Sequence, residues 1–185
     1  MRDDRTIRRC DAAFTQSVQQ QSEQNMALCY QCGNCTAGCP VARASSTPVT
    51  QVMRLVQAGQ REAALGADSI WLCASCETCT TRCPNDIDVA RVMDVLRHMA
   101  RRENHVAEKN IRDFWDAFLE SVEKHGRVYE VGLMAAYVRK TGRFWTDADL
   151  APAALGKGKL PLRPHPVTDK EAIRQIFRRY RERSA

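Results

Sequence analysis

Eight of the nine cysteines in this chain fall into two rows with one shared spacing. The first row reads CYQCGNCTAGCP from Cys29 and the second CASCETCTTRCP from Cys73. Each is C-x2-C-x2-C-x3-C-P: Cys29, Cys32, Cys35 and Cys39 before Pro40, then Cys73, Cys76, Cys79 and Cys83 before Pro84. A cubane [4Fe–4S] cluster has four iron corners, each taking one thiolate, and three cysteines at steps of three can wrap three corners of one cube. The proline biases the residue before it toward extended backbone, so the fourth cysteine is carried away from its own loop and can serve a second cluster. The spacing thus predicts a crossed arrangement. Cys29, Cys32, Cys35 and Cys83 hold one [4Fe–4S] cluster, and Cys73, Cys76, Cys79 and Cys39 hold the other. Crossing locks the two clusters close together, within electron-tunnelling reach. Gly33 and Gly38 are expected to let backbone N–H groups approach cluster sulfurs, hydrogen bonds that tune the reduction potential.

Zinc is the competing ligand chemistry, but its sites come as separated CxxC pairs that close on one tetrahedral ion. Three consecutive steps, repeated and closed by CP both times, depart from that pattern. A disulfide framework is disfavoured too, because patterned cysteines in a reducing cytosol are more often metal ligands. Cys10 stands apart on a polar segment and reads as an incidental surface thiol. Trp71 is expected to pack and shield a cluster. His98, His105, His125 and His165 make no ligand spacing. Positive charge at Arg43, Arg54 or Arg82 would raise a potential if it lay near a cluster.

The elements that position these rows are helical. A polar helix over residues 11–27 leads into the first row. Beyond Pro48, a residue suited to a helix start, Val49, Val52, Met53 and Val56 recur at i, i+3, i+4 and i+7 until Gly59 stops the helix. A short helix over 61–65 and a turn at DSIWL reach Cys73. After the second row, Asp86 or Asp88 caps a helix in which Val89, Val92, Met93 and Leu96 repeat the same spacing. The unit of cysteine row, proline, loop and amphipathic helix therefore occurs twice, 44 residues apart from Cys29 to Cys73. Further helices are expected over 108–125 and 131–141, then an irregular ALGKGKLPLRPHP piece. A capping box from Thr168 to Glu171 opens a last helix with Ile173, Ile176, Phe177 and Tyr180 on one face. No segment alternates with period two, so the fold class is all-α. The chain divides into a polar N-terminal segment (1–24), a two-cluster helical ferredoxin domain (25–105) and a C-terminal helical extension for packing and subunit docking (106–185).

Composition narrows the partners. The chain has 185 residues, net charge +6 and 6% aromatic content. Basic residues gather at the two ends (Arg2, Arg5, Arg8 and Arg9; Arg174, Arg178, Arg179, Arg181 and Arg183) without interleaved stacking aromatics, which argues against nucleic acid. They read as solvated charge or as docking surface for an acidic partner. The longest apolar run, Val131 to Val138, has eight residues, whereas a membrane span needs about 20. With no secretory signal at the start, a cytoplasmic location is the expectation.

The strings LCYQCGNCTAGCPVA, IWLCASCETCTTRCPNDIDV, VMDVLRHMA and GKGKLPLRPH together resemble the iron–sulfur C-type subunits of soluble heterodisulfide reductase and its bacterial relatives. The resemblance implies a helical ferredoxin with two [4Fe–4S] clusters. It relays electrons between a flavin-carrying iron–sulfur subunit (the A-type) and a catalytic CCG-repeat subunit (the B-type), and has no substrate site of its own. The chain contains no CC pair and no G-x-G-x-x-G, so neither the B-type motif nor a dinucleotide fingerprint is present. The cysteine rows alone also resemble iron–sulfur subunits of quinone-linked succinate, glycolate and glycerol-3-phosphate dehydrogenases, which is the alternative reading.

Overall fold

A computed structural model describes residues 10–142, 151–158, 161, 163–165 and 167–184. The expectation of a loose segment at the start of the chain falls on residues 1–9, outside those described. Every regular element among the described residues is helical, as the sequence pattern requires. The chain forms two compact units, Met1–Glu108 and Lys109–Ala185.

In the first unit, α1 (Ala12–Ser22) is capped by Asp11, whose carboxylate accepts from the Phe14 N–H at 3.0 Å. It is shorter than the 11–27 helix the sequence suggested. Glu23 turns left-handed (φ 57°) and the chain re-forms as a 3-10 turn, Met26–Leu28. The break has a local cause. The Gln19 side chain accepts from Met26 N–H at 3.0 Å, satisfying a donor that a continued helix would have used and drawing the chain toward the cysteines. Nor is α1 a polar appendage: Phe14 and Val18 are buried at an i, i+4 spacing and join the core.

The short helices α2 (Asn34–Ala37) and α6 (Thr78–Thr81) each carry the third cysteine of a row. The amphipathic helices α3 (Val49–Gln57) and α7 (Val89–Arg102) follow, with Asp88 capping the second by accepting from Arg91 N–H. Val52, Met53 and Val56 of α3 join Val92, Met93 and Leu96 of α7 in one core with Leu65 and Ile70. Each large side chain of this set stabilises the unit by about 1.5–3 kcal/mol. Between the repeats lie α4 (Arg61–Leu65) and α5 (Ser69–Leu72). DSIWL is thus a helical turn, because Ile70 and Trp71 are both drawn into the core.

The duplication extends beyond the cysteines. Gln57 at the end of α3 donates to the carbonyls of Met26 (2.8 Å) and Cys29 (2.7 Å). Arg97, 40 residues later on α7, donates to Ile70 (2.7 Å) and Cys73 (2.8 Å). Likewise Thr36 Oγ1 accepts from Thr50 N–H at 2.9 Å, and Thr80 Oγ1 from Ala90 N–H at 3.2 Å. Each long helix therefore anchors both the loop before its row and the short helix within it. The rows repeat at 44 residues and the helices at 40, so the first repeat has four extra loop residues before α3.

In the second unit, α8 (Lys109–His125) and α9 (Glu130–Thr141) pack with Phe114 edge-on to Tyr137 at 5.8 Å and with Ala117 and Leu133 buried. Helix α10 (Ala151–Gly156) takes the first residues of the piece expected to be irregular. Helix α11 (Lys170–Ser184) is capped by Asp169, which accepts from Ala172 N–H at 2.9 Å. The expected Thr168–Glu171 box does not form, since the helix starts one residue late for it; Glu171 instead pairs with Arg178 at 3.1 Å. The apolar face of α11 is only partly covered, with Ile176 and Tyr180 61% and 53% exposed.

Candidate metal centre

Each row travels the same path. The second and fourth residues after its first cysteine take left-handed backbone: Gln31 (φ 64°) and Gly33 (φ 85°), then Ser75 (φ 49°) and Glu77 (φ 59°). These reversals turn a chain of ordinary residues into a cup lined by its cysteines. Glycine is not essential to it, because Glu77 adopts the conformation of Gly33. Gly38 has a different task from the expected approach to a cluster. Its backbone is right-handed, and a Cβ there would stand 2.5 Å from Arg82 Cδ. The missing side chain makes room for Arg82, which occupies the matching position of the second row. Since Gly38 precedes Cys39 and Arg82 precedes Cys83, this packing sets the two row ends side by side.

The result is two cavities. One is lined by Cys29, Cys32 and Cys35 of the first row and by Cys83 of the second. The other is lined by Cys73, Cys76 and Cys79 with Cys39. Their walls are related by the same exchange: Thr50, Met53 and Val89 face the first cavity, Ala90, Met93 and Val49 the second. Cys32 and Cys76 are exposed and the other six intermediate, so each cavity opens to solvent at its second cysteine. Leu28 and Tyr30, which flank Cys29, are 50% and 63% exposed. Partial desolvation, then the Cys32 and Cys83 thiols, raises the Tyr30 phenol above its usual pKa.

Local polar groups distinguish the thiols. In the first cavity Gln31 Nε2 donates to Cys29 Sγ at 3.3 Å, and Cys35 Sγ lies 3.4 Å from Thr50 Oγ1. In the second, burial followed by the charge of Cys73 pushes the Cys79 thiol up to about 11. Hydrogen bonds from the Thr78 side chain and backbone pull Cys76 below the usual thiol value. The donor set fits an iron–sulfur cluster: thiols line a volume, and among the described residues no three His, Cys, Asp or Glu side chains converge as ligands of a single ion. A buried hydroxyl in the second wall, Ser69 Oγ, also lacks a hydrogen-bond partner among the described residues.

Cys10 is exposed and lines neither cavity, as expected of a surface thiol. None of the four histidines, nor Arg43 or Arg54, lines one either. Trp71 is a core residue, 3% exposed, and lines neither cavity, so its expected packing role holds and its shielding role does not.

Sequence reasoning did not reveal the latch that shapes the second cavity. Asp68 accepts from Ser45 Oγ (2.9 Å), Ser46 N–H (2.6 Å) and Thr47 N–H (3.0 Å), fixing the lengthened loop before α3, whose Ser45 and Pro48 line the wall. Burial opposes the Asp68 charge, but the hydrogen bonds from Ser46, Ser45 and Thr47 prevail and lower its pKa to about 2. A lowered folded pKa stabilises the protein above the unfolded value, and that contribution disappears as the pH falls through the folded one. Asp68→Asn is therefore expected to cost about 1–2 kcal/mol at pH 7, allowing for partial exposure. Paired thermal melts should show the difference shrinking between about pH 4 and pH 2.

The 4Fe-4S dicluster domain family matches residues 25–87, which contain both rows and both cavities' cysteines. That stretch is similar to the 4Fe-4S dicluster family. The chain is similar to an iron–sulfur C-type subunit, the second of its kind, of the CoB–CoM heterodisulfide reductase of Methanocaldococcus jannaschii, 36% identical over 84 residues, 45% of either chain. The C-type iron–sulfur subunit of the corresponding Methanopyrus kandleri enzyme is 34% identical over 80 residues, 43% of this chain and 42% of that one. The C-type subunit of the H2:CoB–CoM heterodisulfide,ferredoxin reductase of Methanothermobacter thermautotrophicus is 27% identical over 97 residues, 52% of either. The chain spans about half the length of the curated relatives it matches. These homologues are C-type subunits of heterodisulfide reductases, the family the residue strings resemble. The match to the dicluster family supports iron–sulfur clusters in the first unit, and among the described residues no helix is long and apolar enough to cross a membrane.

Proposed function

We propose that this chain is an electron relay with two [4Fe–4S] clusters. One is held by Cys29, Cys32, Cys35 and Cys83, the other by Cys73, Cys76, Cys79 and Cys39. The observation carrying the reading is the lining of the two cavities, three thiols from one row and the fourth from the other in both cases. When bound, each cluster takes up and releases one electron without bonding to a substrate. The protein's residues hold the two sites adjacent through the Gly38–Arg82 packing, keep their walls apolar, and leave one edge of each open at Cys32 and Cys76.

The names of the relatives support a place in a heterodisulfide-reductase-like complex. The chain would pass electrons between a flavin-carrying iron–sulfur subunit and a catalytic subunit with CCG repeats. The second unit supplies docking surface: α11 leaves Ile176 and Tyr180 exposed among arginines, a mixed apolar and basic face suited to an acidic partner. The test is anaerobic isolation of the full chain with its native partners. About eight irons and eight acid-labile sulfides per chain, reducible by a low-potential donor and co-purifying with both partners, are expected. Redox-silent metal, or a chain isolated without either partner, overturns the reading.

A further inference from the structure

The two cavities are near-copies of each other, and they differ in where their hydroxyl groups come from. In the first, Thr50 faces the thiols, and Thr36 Oγ1 lies 2.7 Å from Thr50 Oγ1. Forty residues later the second cavity has Ala90 in that place. Ser45 and Thr78 line it but are engaged with Asp68 and Cys76, which leaves Ser69, the first residue of α5, four residues before Cys73. The matching residue 44 positions earlier, Asn25, lines neither cavity and uses its side chain to accept from Ala27 N–H.

Ser69 is 2% exposed, lies in the wall of the second cavity, and its Oγ has no hydrogen-bond partner among the described residues. The Ser69 carbonyl is occupied in accepting from Cys73 N–H at 3.0 Å, so the backbone holds the residue in place while the hydroxyl stays unused. A buried donor left unpaired is destabilising, and native proteins rarely retain one without a partner. The apolar wall residues Val49, Ala90 and Met93 offer no side-chain oxygen or nitrogen. The acceptors the filled site would provide are sulfurs.

From this geometry we infer that the Ser69 hydroxyl donates a hydrogen bond to a sulfur of the second-cavity cluster and raises that cluster's reduction potential. The inference rests on the proposed filling of that cavity by a [4Fe–4S] cluster. Reduction by one electron adds negative charge to a centre already bearing thiolates, so a fixed donor stabilises the reduced form more than the oxidised form. The effect is strengthened by the apolar wall, where charge is poorly screened. Because Asn25 lines neither cavity, the Ser69 device acts on the second cluster alone. Ser69 is a positioning and tuning residue rather than a ligand.

The test compares the full chain with Ser69→Ala, each isolated anaerobically, by iron and sulfide analysis and by EPR-monitored titration with dithionite. Both proteins are expected to hold about eight irons. In the variant one midpoint should move to lower potential while the other stays in place. Pulsed EPR of the wild type after exchange into D2O should show one exchangeable proton coupling that the variant lacks. Thermal melts add a control, because an unpaired buried hydroxyl predicts that Ser69→Ala raises Tm, whereas a hydroxyl bonded to the cluster predicts no gain. Full iron content with both midpoints and the proton coupling unchanged overturns the role of Ser69 alone. A wild type without a cluster in the second cavity overturns both this inference and the reading beneath it.

Discussion

Combining Cys83→Ser with Cys32→Ser is expected to remove no more iron than either substitution alone, leaving about four irons per chain. Combining Cys83→Ser with Cys76→Ser should remove nearly all of it. The contrast follows from the lining of the cavities, in which Cys83 shares a wall with Cys32 and not with Cys76. An uncrossed arrangement, each row holding its own cluster, predicts the reverse. Iron and sulfide analysis of the two double variants therefore decides between them without a structure of the loaded protein. Cys39 gives the mirror experiment: with Cys76→Ser it should leave about four irons, with Cys32→Ser almost none. If serine is accepted as a substitute ligand, alanine at the same positions separates ligand exchange from cluster retention.

Stripping both clusters with an oxidant and chelator is expected to unfold much of the first unit. Helices α2 and α6 bury no residue of their own, and each is one turn long. A helix so short is marginal in water unless something outside it holds it. Its remaining ties are few, chiefly the Thr36 and Thr80 hydrogen bonds to the long helices. Left-handed backbone at Gln31, Ser75 and Glu77 adds strain of order 1 kcal/mol per residue, which the cysteine loops sustain only if over-determined from outside. Metal binding of this kind is folding free energy, of order 10 kcal/mol for a structural site, comparable to the whole margin of a domain. Loss of far-UV helical signal and a fall in Tm of more than about 10 °C should accompany cluster removal. Cys32→Ser or Cys76→Ser should give a partial version, with one cluster lost. Full helicity and unchanged Tm after the iron is gone would mean the core alone supports the loops.

The lining of the two cavities also shows how far a single sequence carries. The spacing C-x2-C-x2-C-x3-C-P is a local property, and proline after the fourth cysteine acts on its immediate neighbour, so the exchange of fourth ligands could be expected from the chain alone. The amphipathic helices were equally legible, since Val49, Val52, Met53 and Val56, and again Val89, Val92, Met93 and Leu96, advertise one buried face whatever lies opposite. Helix α4 fell where its residues suggested. The short helix at DSIWL did not, because burial of Ile70 and Trp71, and not local propensity, closes that turn.

What failed to show in the sequence depends on partners distant along the chain. Gly38 looked like a cradle for sulfur and is a berth for Arg82, a distinction only the packing of α2 against α6 could make. Gln57 and Arg97 occupy matched positions and anchor matched carbonyls, yet as residue types they share only an N–H donor, so no repeat in the sequence marks them. Asp68 reads as an ordinary turn residue until the loop of Ser45, Ser46 and Thr47 folds onto its carboxylate. The sequence by itself determined the donor set, eight thiols in two rows of one spacing, because ligand type and spacing are properties of neighbouring residues. The tertiary structure alone decided the differences between the two sites, Thr50 on one wall and Ser69 on the other, because a wall is assembled from segments that meet only when the chain has folded.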